Sequence, residues 1–548
     1  MSKKSKALGI HEPLRLNEHP RPRTRREFLS QSFITGAASV VGPTLAGMLA
    51  YPHAARSASL LAPDILQAVS DCAITTGAGK IPFICFDLAG GGNIAGSNVL
   101  VGGPKGQLDF LSVAGYSKLG LPGSMVPNPS ATGNFIDPSF GLRYHSDSAH
   151  LRGMKLRASA ATMAGTTGTI IPALSQNDTN TNPHNPMYGI YQFGARGGLL
   201  NLIGSQSSQS GGNSMAPPSM VIAAAQPTKI SSSQDSKGLV STGQLTTLLP
   251  PLANGTNPDV VNVMESMKRI SDAKYSVVHA YPGNPALDAA AIGPTTSQGI
   301  QACSFTKAAY IVDKYGSPSA VNPDVDPNIV GSGGIFTTAE YQANSDYQKT
   351  AAVMKLVIDG NAAAGTIEMG GFDYHSGNRM DGEARDLNLG NCIGACLEYA
   401  SRVGKPVMIY VFSDGSLASS GMIDSSAGGR GKGVWTADNQ NVAATYFLVF
   451  NPAGRAVSAQ ANPEMSLQIG SFNADGSQNT TGSPAGNNVP NLVQMVVLNY
   501  MALHSANAVA QWPMFFPGIN NTLGVGASLD PLIAWQPLAG LVNGKVPS

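Results

Sequence analysis

The chain has 548 residues, with 34 basic and 33 acidic side chains, 63 glycines, 37 prolines and an apolar share of 42%, so it is loop-rich yet able to bury a large core. The first 58 residues hold nine Lys or Arg and three acids, and the remainder, with 25 basic and 30 acidic residues, carries about −5 net charge. No basic stripe is left there, which argues against nucleic acid as a partner.

At the N-terminus, Thr24-Arg25-Arg26-Glu27-Phe28-Leu29 precedes an uncharged apolar stretch from Phe33 to Leu49. A basic leader, paired arginines, Phe-Leu and a moderately apolar run form the layout of a twin-arginine signal. Gly36, Gly42, Pro43 and Gly47 weaken a helix, and the run is shorter than the ~20 residues of a comfortable membrane span. The bland alternative is an arginine pair beside a buried helix. The expectation is a twin-arginine signal region over residues 1–58, cleaved between Ala50 and Ser59 or retained as an anchor. Residues 59–548 would form one elaborated α/β domain, or two smaller ones. The twin-arginine translocase would be the partner during export, and the destination periplasmic or extracellular.

Beyond this region, Ile81 to Leu88 reads as a buried strand that runs into Ala89-Gly90-Gly91-Gly92-Asn93. A strand ending in a glycine turn is where open α/β sheets place ligands. Residues 103–147 read as surface loops, residues 148–163 as helical, and Gly165 to Leu174 as a strand. Ser205 to Pro218 reads as a mobile polar loop, and Ser219 to Ala224 as a further strand. Helical spacing covers Pro258 to Tyr281, Gln298 to Tyr315 and Thr338 to Ile358. Gly365 to Met369 is a strand ending in Gly370-Gly371-Phe372-Asp373-Tyr374-His375, followed by a helix over Asp386 to Val403. Pro406 to Phe412 is the clearest buried strand and leads into Ser413-Asp414-Gly415. Ala444 to Phe450 is another. This alternation predicts a mainly parallel central sheet flanked by helices, with long Gly/Ser/Asn-rich loops.

The five cysteines (Cys72, Cys85, Cys303, Cys392 and Cys396) are odd in number and irregularly spaced, so no disulfide framework can be read. Cys392 and Cys396 share a helix face and read as small buried residues.

Asp373 and His375 follow one strand and Asp414 the next. An Asp and a His two apart on a loop can reach one ion, and a carboxylate from a neighbouring strand end would complete an oxygen- and nitrogen-rich divalent site. The competing reading is a turn cap with a hydrogen-bonded histidine. Asp147-Ser148 precedes a helical run and reads as a cap rather than a nucleophile. Ser97 is no better supported as one. The glycine run at 90–92 could cradle an anion with its N–H groups, and Gly428 to Gly433, with Arg430 and Lys432, could bind an anionic small-molecule substrate; a tight turn and a solvated loop are the plainer readings. His184, in the polar loop Asn182 to Pro186, could supply a ligand; a surface histidine is the plainer reading.

The order of these motifs resembles domain of unknown function 1501, a family of secreted, often twin-arginine-exported proteins in the alkaline phosphatase and sulfatase superfamily. Gly371-Phe372-Asp373-Tyr374-His375 resembles its Gly-Trp/Phe-Asp-Thr-His motif, and the resemblance spans roughly Ile81 to Phe450. It implies an alkaline-phosphatase-like sheet with a divalent-metal site at the strand ends. Asn93 stands where the family usually has Asp. Ser413-Asp414-Gly415 replaces Ser-Glu-Phe-Gly, and Thr436-Ala437-Asp438-Asn439 replaces Thr-Asp-His-Gly, without its histidine. The resemblance therefore implies at most one divalent ion, held by Asp373, His375, Asp414 and Asp438, with Asn93 as a weak neutral ligand. Two functions follow: a metal-dependent hydrolase of phosphate or sulfate esters, or a non-catalytic envelope or secretion-associated scaffold.

Overall fold

The computed structural model describes residues 59–72, 74, 77–128, 134–175, 182–241, 245–252, 256–279, 297–517 and 521–547. The signal-like residues 1–58 lie outside the described residues. Among those described, no helix is long and apolar enough to cross a membrane.

The chain divides into two compact units, Met1–Ile74 with Thr242–Ser317, and Thr75–Ser241 with Pro318–Ser548. The smaller unit contains helices Pro63–Asp71, Pro258–His279 and Ser297–Tyr315. Leu61, Ile65, Val260, Val261, Met264, Ala309 and Val312 form its buried apolar cluster. The unit also carries a covalent link: Cys72 and Cys303, 231 residues apart in sequence, form a disulfide. No spacing rule reveals that pairing. Cys85, Cys392 and Cys396 are buried free thiols, as expected for the latter two.

The larger unit is built on a seven-stranded sheet. In chain order the strands of this unit are β1 (Phe83–Gly91), β2 (Ile136–Phe140), β3 (Leu142–His145), β4 (Thr166–Pro172), β5 (Leu200–Gly204), β6 (Thr228–Lys229), β7 (Ala362–Met369), β8 (Val407–Gly415), β9 (Leu417–Asp424), β10 (Lys432–Asp438) and β11 (Ala444–Phe450). The sheet order is β4-β11-β8-β1-β7-β5-β6, while β2-β3 and β9-β10 are separate two-stranded ribbons. β1 pairs in parallel with both β7 and β8, whereas β11 runs antiparallel to β8 and β4. The sheet is thus mostly parallel with one reversed strand.

The helices that matter here are α1 (Ala149–Arg157), α2 (Ser345–Ile358), α3 (Met380–Arg402) and α4 (Val489–Ala502). They cover both sheet faces because the apolar run of β1 sends alternate side chains each way. Phe83 meets Tyr500 of α4 edge to face at 5.6 Å. Its neighbour Ile84 is in register with Gly365, against which Val353 and Val357 of α2 pack. α1 and α3 cross backbone to backbone: a Cβ on Gly153 would lie 2.3 Å from the Leu387 oxygen, and one on Gly390 2.3 Å from the His150 oxygen. Only glycine permits that approach.

Several local expectations change. Ser219 to Ala224 is not a strand but two short 3-10 turns, Pro218–Met220 and Ala223–Ala225; prolines 217 and 218 withhold the N–H groups that a ladder needs. The stretch 103–147 is not all surface loop, since β2, β3 and a short helix, Val113–Lys118, lie within it. Helix α3 starts six residues before the sequence pattern suggests, with Asp381 and Glu383 in its first turn, where acids suit the positive helix end.

Candidate functional site

Three strand ends and one loop build the carboxyl edge of the sheet. After β1 the chain turns at Gly90, where φ is +102° and an added Cβ would lie 2.3 Å from the Phe372 oxygen. The amides of this turn are taken up internally. Gly90 N donates to Asp414 Oδ1 at 2.9 Å, Gly92 N to Ser413 Oγ at 2.9 Å, and Asn93 N to the Tyr374 hydroxyl at 3.0 Å. These three N–H groups therefore offer no anion cradle. Asn93 is 1% exposed; its side-chain amide donates to Leu417 O and accepts from Ser97 Oγ.

The loop after β7 holds Asp373 at φ +87°, a left-handed conformation uncommon outside glycine, with its N–H donating to Gly91 O at 2.7 Å. Tyr374 pins this loop from within: it is buried, and its hydroxyl donates to Asp386 Oδ1 at 2.9 Å. Asp373 and His375, on either side of that anchor, reach solvent. His375 Nε2 lies 2.9 Å from Asp373 Oδ1 and 3.5 Å from Asp438 Oδ1. Asp438 arrives from a different direction: it ends β10, which pairs antiparallel with β9 so that Asp438 lies opposite Leu417, just beyond β8.

Asp373, His375 and Asp438 thus each offer a ligand atom, all within 4.8 Å of one another. Two ligands on opposite sides of one ion at bond lengths of about 2.1 Å stand about 4.2 Å apart. The side chains are 36–59% exposed and can rotate to close the remaining gap. One imidazole and two carboxylates are an ordinary donor set for a divalent ion with open positions, so the residues fit.

Asp414 does not join them. It is fully buried; its Oδ1 accepts from Gly90 N and its Oδ2 from Asn213 Nδ2 at 2.6 Å. Its charge acts inward on Asp87, which lies fully buried in β1 and accepts from Ser214 N at 2.7 Å and Ser214 Oγ at 2.9 Å. Burial, and then repulsion by Asp414, push the Asp87 carboxyl up to about 7. The segment read as a mobile polar loop is the source of both Asn213 and Ser214, and it is packed down at Ser205, Ser210 and Ser214. An acid inside the apolar run Phe83–Leu88 was the available signal for this pair.

The basic loop is also committed. The Arg430 guanidinium pairs with both oxygens of Asp147 at 2.9 Å. Lys432 is fully buried and donates to Glu383 Oε1 at 2.8 Å and Asp147 O at 2.6 Å. Ser148 Oγ caps α1 by accepting from Leu151 N at 3.1 Å. His184 is buried rather than on the surface; it donates to Leu174 O at 3.2 Å, and burial pushes its pKa down to about 4.

Beside the Asp373 loop lies an open cleft of about 700 Å³ whose lining includes Asn344, Asp346, Gly371, Asp373, Asp381 and Arg385. No protein-family model matches the chain, and no curated protein matches it.

Proposed function

We propose that this chain is an exported hydrolase of phosphate or sulfate esters, built on an alkaline-phosphatase-like scaffold and working with one divalent cation at Asp373, His375 and Asp438. The observation that carries this reading is the convergence of those three side chains, from two separate segments, at the open carboxyl edge of a mostly parallel sheet. A cation bound there supplies Lewis-acid polarisation of an ester oxygen. Asp373 and Asp438 would bring the negative charge that offsets it, and His375 would supply a neutral nitrogen as the third ligand. The resemblance to domain of unknown function 1501, on the Asp373-Tyr374-His375 motif, supports the same superfamily. Export rests on Arg25-Arg26 and the apolar run after them, and the Cys72–Cys303 disulfide is consistent with an oxidising compartment.

The test is metal content together with hydrolysis of p-nitrophenyl phosphate and p-nitrophenyl sulfate by the purified exported form. Stoichiometric metal in the wild type, lost in Asp373→Ala along with activity, supports the reading. A wild-type chain that takes up no divalent ion refutes it.

One observation favours the second reading, a non-catalytic envelope or secretion-associated scaffold. Neither serine considered as a nucleophile is free to react: Ser97 Oγ is buried on Asn93 and Ser148 Oγ caps a helix. In that case Asp373→Ala leaves metal content and every tested hydrolysis unchanged.

A further inference from the structure

The lining of the cleft beside Asp373 holds three carboxylates and one cation, Arg385. Each carboxylate has partners of its own. Asp346 takes Lys349 Nζ at 3.0 Å and Asn388 Nδ2 at 2.8 Å. Asp381 takes Asn378 Nδ2 at 2.9 Å and Ser376 Oγ at 3.2 Å. Asp373 takes His375. The Arg385 side chain makes no ion pair or hydrogen bond among the described residues, although acids line the same cleft.

Arg385 is exposed in this open cleft. It sits against the backbone of Gly371, where an added Cβ would meet Arg385 Cζ at 2.7 Å and Nη2 at 2.9 Å. Gly371 is two residues before Asp373, so a side chain there would drive the guanidinium away from the site. The glycine that lets the loop turn, at φ +80°, also makes room for the cation. Five N–H donors in a planar fork thus face the cleft that Asp373 lines, with no acceptor among the described residues, and a fork of that shape matches the paired oxygens of an oxyanion. The basic loop cannot do this, because Arg430 and Lys432 are already bonded to Asp147 and Glu383.

We propose that Arg385 is the oxyanion-binding residue of this cleft and that it selects small molecules carrying a phosphate, sulfate or carboxylate group. The claim that such a molecule is a substrate rests on the hydrolase reading above; the binding claim stands without it.

Calorimetric titration of the full exported chain with inorganic phosphate, sulfate and acetate, before and after loading with a divalent cation, tests the proposal and distinguishes the three sources. The wild type binds at least one of them. Arg385→Ala weakens that binding roughly 10- to 100-fold, and Arg385→Lys, which keeps the charge but not the fork, falls between. Metal content and melting temperature stay at wild-type values in both variants, which separates a recognition role from a structural one. Equal binding by wild type and Arg385→Ala overturns the proposal, as does a wild type that binds none of the three anions. A wild type that holds no metal yet binds an anion through Arg385 ends the hydrolase reading alone.

Discussion

Asp87 and Asp414 are buried carboxylates on neighbouring parallel strands, and two consecutive residues of one loop hold them: Ser214 donates to Asp87 and Asn213 to Asp414. The loop is therefore tied to the sheet through two buried carboxyl groups.

The sign of the pH dependence follows from the raised value of Asp87, about 7 against 3.8 for an ordinary Asp. Between about pH 4 and pH 7 the unfolded chain has released this proton and the folded chain retains it. The contribution of Asp87 to stability is therefore lost as pH rises through that window, by at most about 1.4 kcal/mol per pH unit. Asp87→Asn stays neutral at every pH, and its amide can donate to Ser214 Oγ while its oxygen accepts from Ser214 N. Denaturant titrations should show the variant gaining on wild type from pH 4 to pH 7 and holding a constant margin above that. Parallel stability curves would show that the folded chain does not retain the Asp87 proton in this window.

Gly90 and Gly194 make a matched test of the turn after β1. Both have strongly positive φ, +102° and +97°, but a Cβ on Gly90 collides with Phe372 O whereas one on Gly194 meets nothing within 4 Å. Gly194→Ala should carry only the backbone cost, about 1 kcal/mol. Gly90→Ala adds the collision and should lose about 2–4 kcal/mol. It should also displace the Asp373 loop, read out as loss of bound metal. If the two variants unfold alike, Phe372 yields and the turn does not set the site.

The disulfide of the smaller unit can be probed in the same spirit. The described residues of that unit include a buried apolar cluster and the bridge Cys72–Cys303, a link of the kind worth about 2–4 kcal/mol. Cys72→Ser with Cys303→Ser should raise amide exchange in helices Pro63–Asp71 and Ser297–Tyr315 while the strands of the central sheet keep their protection. Unchanged exchange in both helices would mean that the apolar cluster suffices.

These cases also mark what could be read from the chain alone. The strand Pro406 to Phe412 was legible because a buried parallel strand is a continuous apolar run, yet β8 continues through Asp414. Those extra residues turn an expected ligand into an internal group whose partner, Asn213, comes from a loop about 200 residues earlier. Asp373 and His375 were legible by spacing, since a two-residue offset is local information. Asp438 was legible only as a candidate, because the β9–β10 ribbon that delivers it is itself irregular in register. Asn93 was a candidate ligand only through the resemblance, which puts an Asp at that position; its amide instead bonds Leu417 O and Ser97 Oγ. Arg385 carried no signal at all: an arginine on a helix reads as a solvated face until the fold sets it over a glycine.

The buried ion cluster around Glu383 allows the opposite pH test to Asp87. Burial pushes the Glu383 carboxyl up, but the charges of Arg379, Lys432 and Arg152 outweigh it and hold the group below the ordinary carboxylate range. Arg379 Nη2 lies at 3.0 Å and Lys432 Nζ at 2.8 Å, and both cations are buried. Removing the charge with Glu383→Gln strands two buried cations with less than their counter-charge, since Asp147 is shared with Arg430 and Arg152. The expected loss is about 3–5 kcal/mol at pH 7. Because the folded-state value is lowered, the wild type keeps this stabilisation above the unfolded-state titration of Glu and loses it as pH falls through the folded one. The gap between wild type and Glu383→Gln should therefore be widest near neutrality and shrink as the solution is acidified, which thermal unfolding at a series of pH values measures directly. A gap that stays constant to low pH would mean that Glu383 is needed for its shape and hydrogen bonds and not for its charge.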